Sequence, residues 1–275
     1  MRRAKAKRRV RRATARRKTI PYKEKMIIQT DYHIHASFYR VKAEGAEPGP
    51  TVAEQQAAAR AAGNKCIGIL EHCNHAKHHP FHCLEELSAE YHSNSFDRSD
   101  TFLGVEADLN DDGSDDCGAD GRAKLGLHYV IGSVHLSPKL IADIHDYIDT
   151  EFKRIRNTLL FNKNVDVIGH PFGEGYRWVN AEIIPRWGFD LIPQEYLQEI
   201  TKLAAEKGIA LEINRNDPTD AVYVDWLKAQ RRAGVLFSIG SDAHTTDGCP
   251  QAAIRTRWAE SLGFTEEQHW KPKTN

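Results

Sequence analysis

The sequence predicts a parallel α/β architecture, open or closed. Three observations predict it. Short apolar runs, several rich in Val and Ile, recur along the chain; helical periods fall between several of them; and nearly every run ends in a residue able to ligate a metal. Runs this short suit buried parallel strands, and strand–helix alternation over such a length implies α/β layering.

In order, the runs are Met26–Ile28, Cys66–Leu70, Phe102–Val105, Tyr129–Val134, Val165–Ile168, Ile209–Ile213 and Val235–Ile239. The first leads into Asp31-Tyr32-His33-Ile34-His35 and the second into Glu71-His72. The third ends at Glu106, the fourth at His135 and the fifth at His170. The sixth contains Glu212, and the last leads into Asp242-Ala243-His244. Thr51 predicts a helix N-cap, with Glu54 completing a capping box and Gly63 stopping the helix after Ala62. Ile141, Ile144, Ile148, Phe152, Ile155 and Leu159 recur at helical spacing and predict a helix over 140–162. Helices over 193–207 and 219–233 are each ended by a glycine, Gly208 and Gly234. The chain shows no internal repeat.

A chain of 275 residues with 40% hydrophobic content can bury a sizeable core, and an α/β barrel commonly reaches this length as one domain. No apolar run approaches the length of a membrane span, and no apolar segment of a secretory signal follows the basic N-terminus. The formal net charge of zero conceals a division. Residues 1–25 hold 13 Lys/Arg and one acid, Glu24; of 38 basic and 38 acidic residues, this leaves 25 and 37, a formal −12. Residues 1–25 thus read as a basic, disordered tail: a nucleic-acid-binding arm, a targeting segment or a solvated extension. Residues 26–275 read as one acidic domain suited to collecting cations rather than binding nucleic acid. Cys66, Cys73, Cys83, Cys117 and Cys249 make an odd count in a chain that needs no disulfide staples, which points to a reducing, cytoplasmic setting.

The placement of the polar residues carries the chemistry. In an α/β barrel the C-terminal strand ends converge on one mouth, where the active site lies. A His-x-His pair on a strand places both imidazoles on one face, and Asp242-x-His244 follows the same logic. Imidazoles with carboxylates favour Zn, Mn or Fe. There are too many ligands for one ion, so two or three divalent metals sharing a carboxylate are expected, an arrangement suited to hydrolysis of phosphate esters or amides. The Asp108-x-Asn110-x-Asp112-Gly113 stretch begins like a calcium loop but lacks the terminal Glu (Ala119 stands there), so 110–121 reads as an exposed loop.

The ordered set His33-x-His35, Glu71-His72, Glu106, His135, His170 and Asp242-x-His244 resembles the motifs of the PHP (polymerase and histidinol phosphatase) family. The phrases YVIGSVH, DVIGHP, LEIN and GSDAH resemble its histidinol-phosphatase branch, and the resemblance spans about residues 26–250. It implies a distorted, TIM-like (β/α)7 barrel with a trinuclear centre. By motif, the first metal takes His33, His35, Glu106 and Asp242. The second shares Glu106 and adds His135 and His170. The third takes His72 and His244. Members of that branch usually carry another His six residues after the pair; here the position is Val41, which leaves the third site one ligand short unless His75, His78, His79 or His82 supplies it.

The reaction expected is hydrolysis of a small phosphate monoester, histidinol-phosphate-like or nucleotide-like, by a metal-activated hydroxide. Glu106 holds the metals together, and Asp242 or His244 handles the proton on the leaving oxygen. Arg215 and Arg177 are the candidate phosphate binders, because guanidinium matches phosphate oxygens. Glu212 suits a group that orients a ligand His or, equally, a buried ion-pair partner. Two other classes compete: an exonuclease or phosphodiesterase holding nucleic acid through residues 1–25, and a non-catalytic metal-binding regulatory module. The sequence leaves the oligomeric state open.

Overall fold

The structure is a computed structural model and describes residues 29–36, 49–74, 81–93, 97–136, 141–214 and 216–273. Residues 1–25, the Met26–Ile28 run, Val41, His75, His78, His79 and Arg215 lie outside the described residues, as does the side chain of His82.

The first strand, β1 (Thr30–His35), contains the His-x-His pair itself. Helix α1 (Val52–Ala61) follows, with the expected reciprocal capping box between Thr51 and Glu54. Strands β2 (Cys66–Leu70) and β3 (His72–Cys73) come next, then α2 (Phe81–Tyr91) and β4 (Thr101–Asp108). Helix α3 (Gly118–Leu125), β5 (Tyr129–Ser133), α4 (Ile144–Phe161) and the short β6 (Val167–Ile168) continue the alternation. The chain then forms α5 (Gly175–Asn180), α6 (Gln194–Lys207), β7 (Ala210–Ile213), α7 (Ala221–Ala233), β8 (Phe237–Ile239) and α8 (Pro250–Ser261).

Every strand pair is parallel, in the order β1-β2-β4-β5-β6-β7-β8, with β3 also on β4. Ile69 pairs with Leu103 and His72 with Glu106, so β2 and β3 keep one register and form a single stave broken at Glu71. The result is a nearly closed barrel of seven staves. Its seam lies between β8 and β1. There Ile34 bridges Ala243, His35 N–H donates to the Ala243 carbonyl at 2.9 Å, and Asp242 N–H donates to the His33 carbonyl at 2.7 Å. At the opposite end His269 bridges Phe237, and Trp270 N–H donates to the Phe237 carbonyl at 2.8 Å.

Two cores result. Inside the barrel, Tyr32, Leu70, Tyr129, Ile131, Val167 and Ala210 pack together, with Trp270 against them. The Tyr129 ring fills so much of this space that a Cβ on Gly104 would stand 2.3 Å from its Cζ. Outside, Tyr147, Ile155 and Leu159 of α4, Leu197 and Ile200 of α6 and Trp226 of α7 cover the outward residues of the sheet. Burying one such aliphatic or aromatic side chain contributes roughly 1.5–3 kcal/mol.

The ends of the expected elements move for local reasons. The helix expected over 140–162 starts at Ile144, because Asp143 caps it by accepting from His145 N–H and Asp146 N–H. The helix expected from 219 starts at Ala221, capped by Asp220, and Gly208 and Gly234 end their helices in the left-handed conformation. The loop expected over 110–121 is corrected at its end, where α3 begins at Gly118. Asp108 belongs to β4 and is buried, not a calcium-loop residue.

Strand β1 departs from plain alternation. Asp31 pairs with Ile67 and Ile34 with Ile69, three steps on β1 against two on β2. This extra residue is a bulge, and bulges re-aim side chains beside active sites. Tyr32 enters the inner cluster and Ile34 the outer one. Simple alternation would place Asp31 beside His33 and His35. Instead its carboxylate accepts Ser241 N–H at 2.9 Å and ties β1 to the chain leaving β8.

Candidate metal centre

The strand ends bring the expected ligands to one mouth. His33 and His35 of β1 lie with ring centroids 5.2 Å apart. Glu106 of β4, fully buried, stands at the centre of the group. Its Oε1 lies 2.8 Å from His170 Nε2 and 3.3 Å from His135 Nε2. Its Oε2 lies 2.9 Å from His72 Nδ1, 3.3 Å from His35 Nε2 and 3.4 Å from His33 Nε2. One carboxylate therefore faces two sets of imidazoles with its two oxygens. Asp242 closes the first set, with Oδ1 3.3 Å from His35 Nε2 and 3.7 Å from His33 Nε2. His35, His72 and His244 form a further group, and His72 Nε2 and His244 Nε2 are 3.4 Å apart.

These groups overlap. Ligand atoms of His33, His35 and Glu106 converge; so do those of His33, His170 and Asp242, of His72, Glu106 and His135, and of His35, His72 and His244. Two donors bound at about 2.0–2.1 Å to one tetrahedral ion stand about 3.3 Å apart, which matches the His33 and His35 distances to Glu106. His33 Nε2, both ring nitrogens of His35 and Glu106 Oε2 are buried yet make no hydrogen bond of good geometry. A buried polar atom left so costs roughly 1–3 kcal/mol, and a cation between the donors removes that penalty. The donor set fits a cluster of divalent metals.

Further groups orient the ligands. Glu212 Oε1 accepts from His33 Nδ1 at 2.9 Å, while its Oε2 accepts His170 N–H at 2.9 Å and Asn214 Nδ2–H at 3.0 Å. Asp108 Oδ1 accepts from His135 Nδ1 at 2.6 Å, and Asn74 donates to its other oxygen. Neither Asp108 nor Asn74 was expected here; the signal for Asp108 was its place two residues after Glu106 on one strand. Arg255 of α8 clamps the exits of β7 and β8, donating to the carbonyls of Asn214 (2.7 Å), Gly240 (3.1 Å) and Ser241 (3.2 Å). His170 and Asp242 both have positive φ, 26° and 56°, so two of the candidate ligands sit on strained backbone, as functional residues often do. Arg177 of α5 is half-exposed, and its guanidinium is paired with the buried carboxylate of Glu174.

The charge states split the ligands. Burial opposes protonation of His35 and His135. The carboxylates outweigh it, namely Asp242, Glu106 and Glu71 around His35 and Glu106 and Asp108 around His135, and push both up to about 10. Burial would raise Glu106, but His135, His33 and His72 hold it well below the usual range. Burial, with His35 adjacent, keeps His72 and His244 neutral, His244 down to about 3. Metal binding must therefore displace protons from His35 and His135, and from His33, whose burial is likewise outweighed by Glu212, Glu106 and Asp242, but not from His72 or His244. This gives opposite signs with and without metal. In the metal-free protein the raised imidazoles contribute stability that is complete below about 6.5, the unfolded value, and is lost as pH rises through about 10. Proton competition for the metal weakens over the same window. The rise in melting temperature on adding zinc is expected to grow from about pH 6.5 to about pH 9; a constant or shrinking rise in paired melts would contradict it.

Known proteins share this architecture. Histidinol phosphate phosphatase from Lactococcus lactis, solved with zinc, L-histidinol and phosphate, superposes with a TM-score of 0.56 over 86% of this chain and 94% of its own, at 20% identity. The two chains share a fold. A second neighbour in fold, a protein provisionally named as a histidinol phosphatase from Listeria monocytogenes, gives a TM-score of 0.53 over 80% of this chain and 96% of its own, at 13% identity. At such identities the likeness is one of fold. In sequence, the chain is 28% identical over 183 residues to the DNA polymerase/3'-5' exonuclease PolX of Bacillus subtilis, covering 65% of this chain but only 28% of PolX. No family model matches the chain. The motif resemblance to the PHP family thus agrees with both the fold and the PolX alignment. Among the described residues, no helix is long and apolar enough to cross a membrane.

Proposed function

We propose that the chain is a metal-dependent phosphoesterase that hydrolyses a small phosphate monoester. The observation that carries this reading is Glu106: one buried carboxylate touching five imidazoles at the mouth of a parallel barrel. His33, His35, Glu106 and Asp242 would hold a first divalent metal, Glu106, His135 and His170 a second, and His72 and His244 a third, with His35 beside them. Zinc, manganese and iron suit these donors. When bound, the metals supply Lewis acidity toward phosphoryl oxygens and lower the pKa of water. Glu106 spaces the two main sites, while Glu212 and Asp108 fix the tautomers of His33 and His135 by accepting from their Nδ1 atoms. His244, 3.6 Å from Asp242 Oδ1, is held neutral by burial and by His35, so it is a weak base and serves as a neutral metal ligand rather than as the proton carrier. Asp242, ionised as a ligand, would then accept the proton released by the attacking water and pass it to the leaving oxygen. Arg177, and Arg215 beyond β7, are the proposed phosphate binders.

The neighbour solved with histidinol and phosphate supports a monoester of that kind. The PolX alignment favours a second reading, a phosphodiesterase or exonuclease that holds nucleic acid with basic residues 1–25. The four described cysteines are free, which suits a reducing compartment such as the cytoplasm. A panel of phosphomonoesters and oligonucleotides, run on the metal-loaded protein with and without residues 1–25, separates the readings. Monoester turnover independent of those residues is expected. Oligonucleotide cleavage that disappears with them would favour the second reading, and full activity in His33→Ala would overturn both.

A further inference from the structure

Helix α4 presents a stripe of buried residues, Tyr147, Ile148, Glu151, Ile155, Thr158 and Leu159, to the barrel wall. Glu151 is the one acid on that stripe and is 2% exposed. Burying a carboxyl group in such a place costs free energy unless the group is hydrogen-bonded. Its Oε1 accepts the backbone N–H of Phe172. Phe172 is fully buried and has a φ of 58°; two residues earlier, His170 has a φ of 26°. A bulky residue in that region is strained and persists only where the surroundings hold it. The turn is also held by Gly173 N–H on the His170 carbonyl (2.7 Å) and by Asn216 Nδ2 on the Pro171 carbonyl (3.2 Å).

We propose that Glu151 is a positioning residue for the metal centre: from behind the barrel wall it locks the strained His170–Gly173 turn and so sets where His170 Nε2 meets Glu106. The reading rests on the metal-centre assignment above. What the turn requires of Glu151 is an acceptor oxygen at the right reach, not a negative charge. Burial pushes this carboxyl up to about 8, with Glu174 adding to the rise and Tyr147 and the Phe172 amide opposing it. Near neutral pH it therefore carries its proton, and its carbonyl oxygen serves the amide. Glutamine is the matching isostere, whereas aspartate keeps the acid but withdraws it by one methylene.

The test is zinc affinity by chelator competition on the full chain, comparing wild type, Glu151→Gln and Glu151→Asp, with melting temperatures of the metal-free proteins alongside. Glu151→Gln is expected to bind zinc within about threefold of wild type and Glu151→Asp to bind it on the order of 10–100-fold more weakly, the usual effect of losing a group that orients a ligand. A role in packing alone would move the melting temperatures without this ranking of affinities. An aspartate variant as tight as wild type, or a glutamine variant as weak as the aspartate one, overturns the assignment of Glu151. A wild-type protein that binds no zinc overturns the metal centre itself, and the Glu151 assignment with it.

Discussion

Glu106→Gln is expected to remove the metal centre as a whole, because the two oxygens of this one carboxylate meet five imidazoles between them. Glu106 Oε1 meets His170 and His135, and Oε2 meets His72, His35 and His33. Glutamine keeps the volume but replaces one acceptor with an NH2 that cannot ligate. It also removes the negative charge toward which the buried histidines are drawn. Turnover of a phosphomonoester should fall by roughly three orders of magnitude, the scale of losing a principal electrostatic element of an active site. Zinc content by elemental analysis should fall with it. The metal-free variant should lose about 3–5 kcal/mol as well, since protonated His35 and His135 keep their burial but lose a counter-charge. Retention of more than about a tenth of wild-type turnover would show that the carboxylate does not span the metals.

Gly240→Ala should have the next largest effect, through a single methyl group. A Cβ at Gly240 would stand 2.0 Å from Glu212 Oε1 and 2.5 Å from His33 Cβ. Glu212 cannot retreat freely: it holds His33 Nδ1 with one oxygen and His170 N–H with the other. The added carbon must displace an orienting carboxylate or the ligand itself. Overpacking of this kind costs about 1–3 kcal/mol, and disturbing a group behind a ligand costs on the order of 10–100-fold in metal affinity. Chelator competition and thermal melts on the purified variant measure both. Unchanged zinc affinity would mean that Glu212 does not govern the position of His33.

The convergence of the candidate ligands could be read from the sequence because barrel geometry turns chain position into spatial position. His33, His35, Glu106, His135, His170 and Asp242 each lie at or near the end of an apolar run, and parallel staves deliver those ends to one mouth. The capping box of Thr51 and Glu54 and the glycine stops at Gly208 and Gly234 were legible because they depend only on near neighbours. What was not legible depends on distant pairings. The bulge in β1 arises from the register against β2, so Asp31 gave no sign that it would bind Ser241. Arg255 sits in a helix whose apolar pattern is weak, and its three carbonyl partners come from two other elements. Glu151 did leave a trace, an acid among the apolar positions of α4, but its partner at Phe172 follows from the path of a later turn. Helices α3 and α8 carry no strong apolar period, so the sequence does not announce them, whereas Leu84, Leu87 and Tyr91 of α2 do recur at helical spacing and are buried.

The seam between β8 and β1 has a consequence for how the molecule holds its shape. His33 and His35 stand on one side of that seam and Asp242 on the other, about as far apart in the chain as the barrel allows, yet Asp242 Oδ1 is 3.3 Å from His35 Nε2. An ion gripped by both sides acts as a clasp on a hoop. It shuts a ring of more than two hundred residues whose closure entropy the backbone contacts at the seam would otherwise have to overcome alone. The reaction centre and the fastening of the hoop would then be one object, and drawing out the ion would loosen the molecule first along the line where its two ends meet.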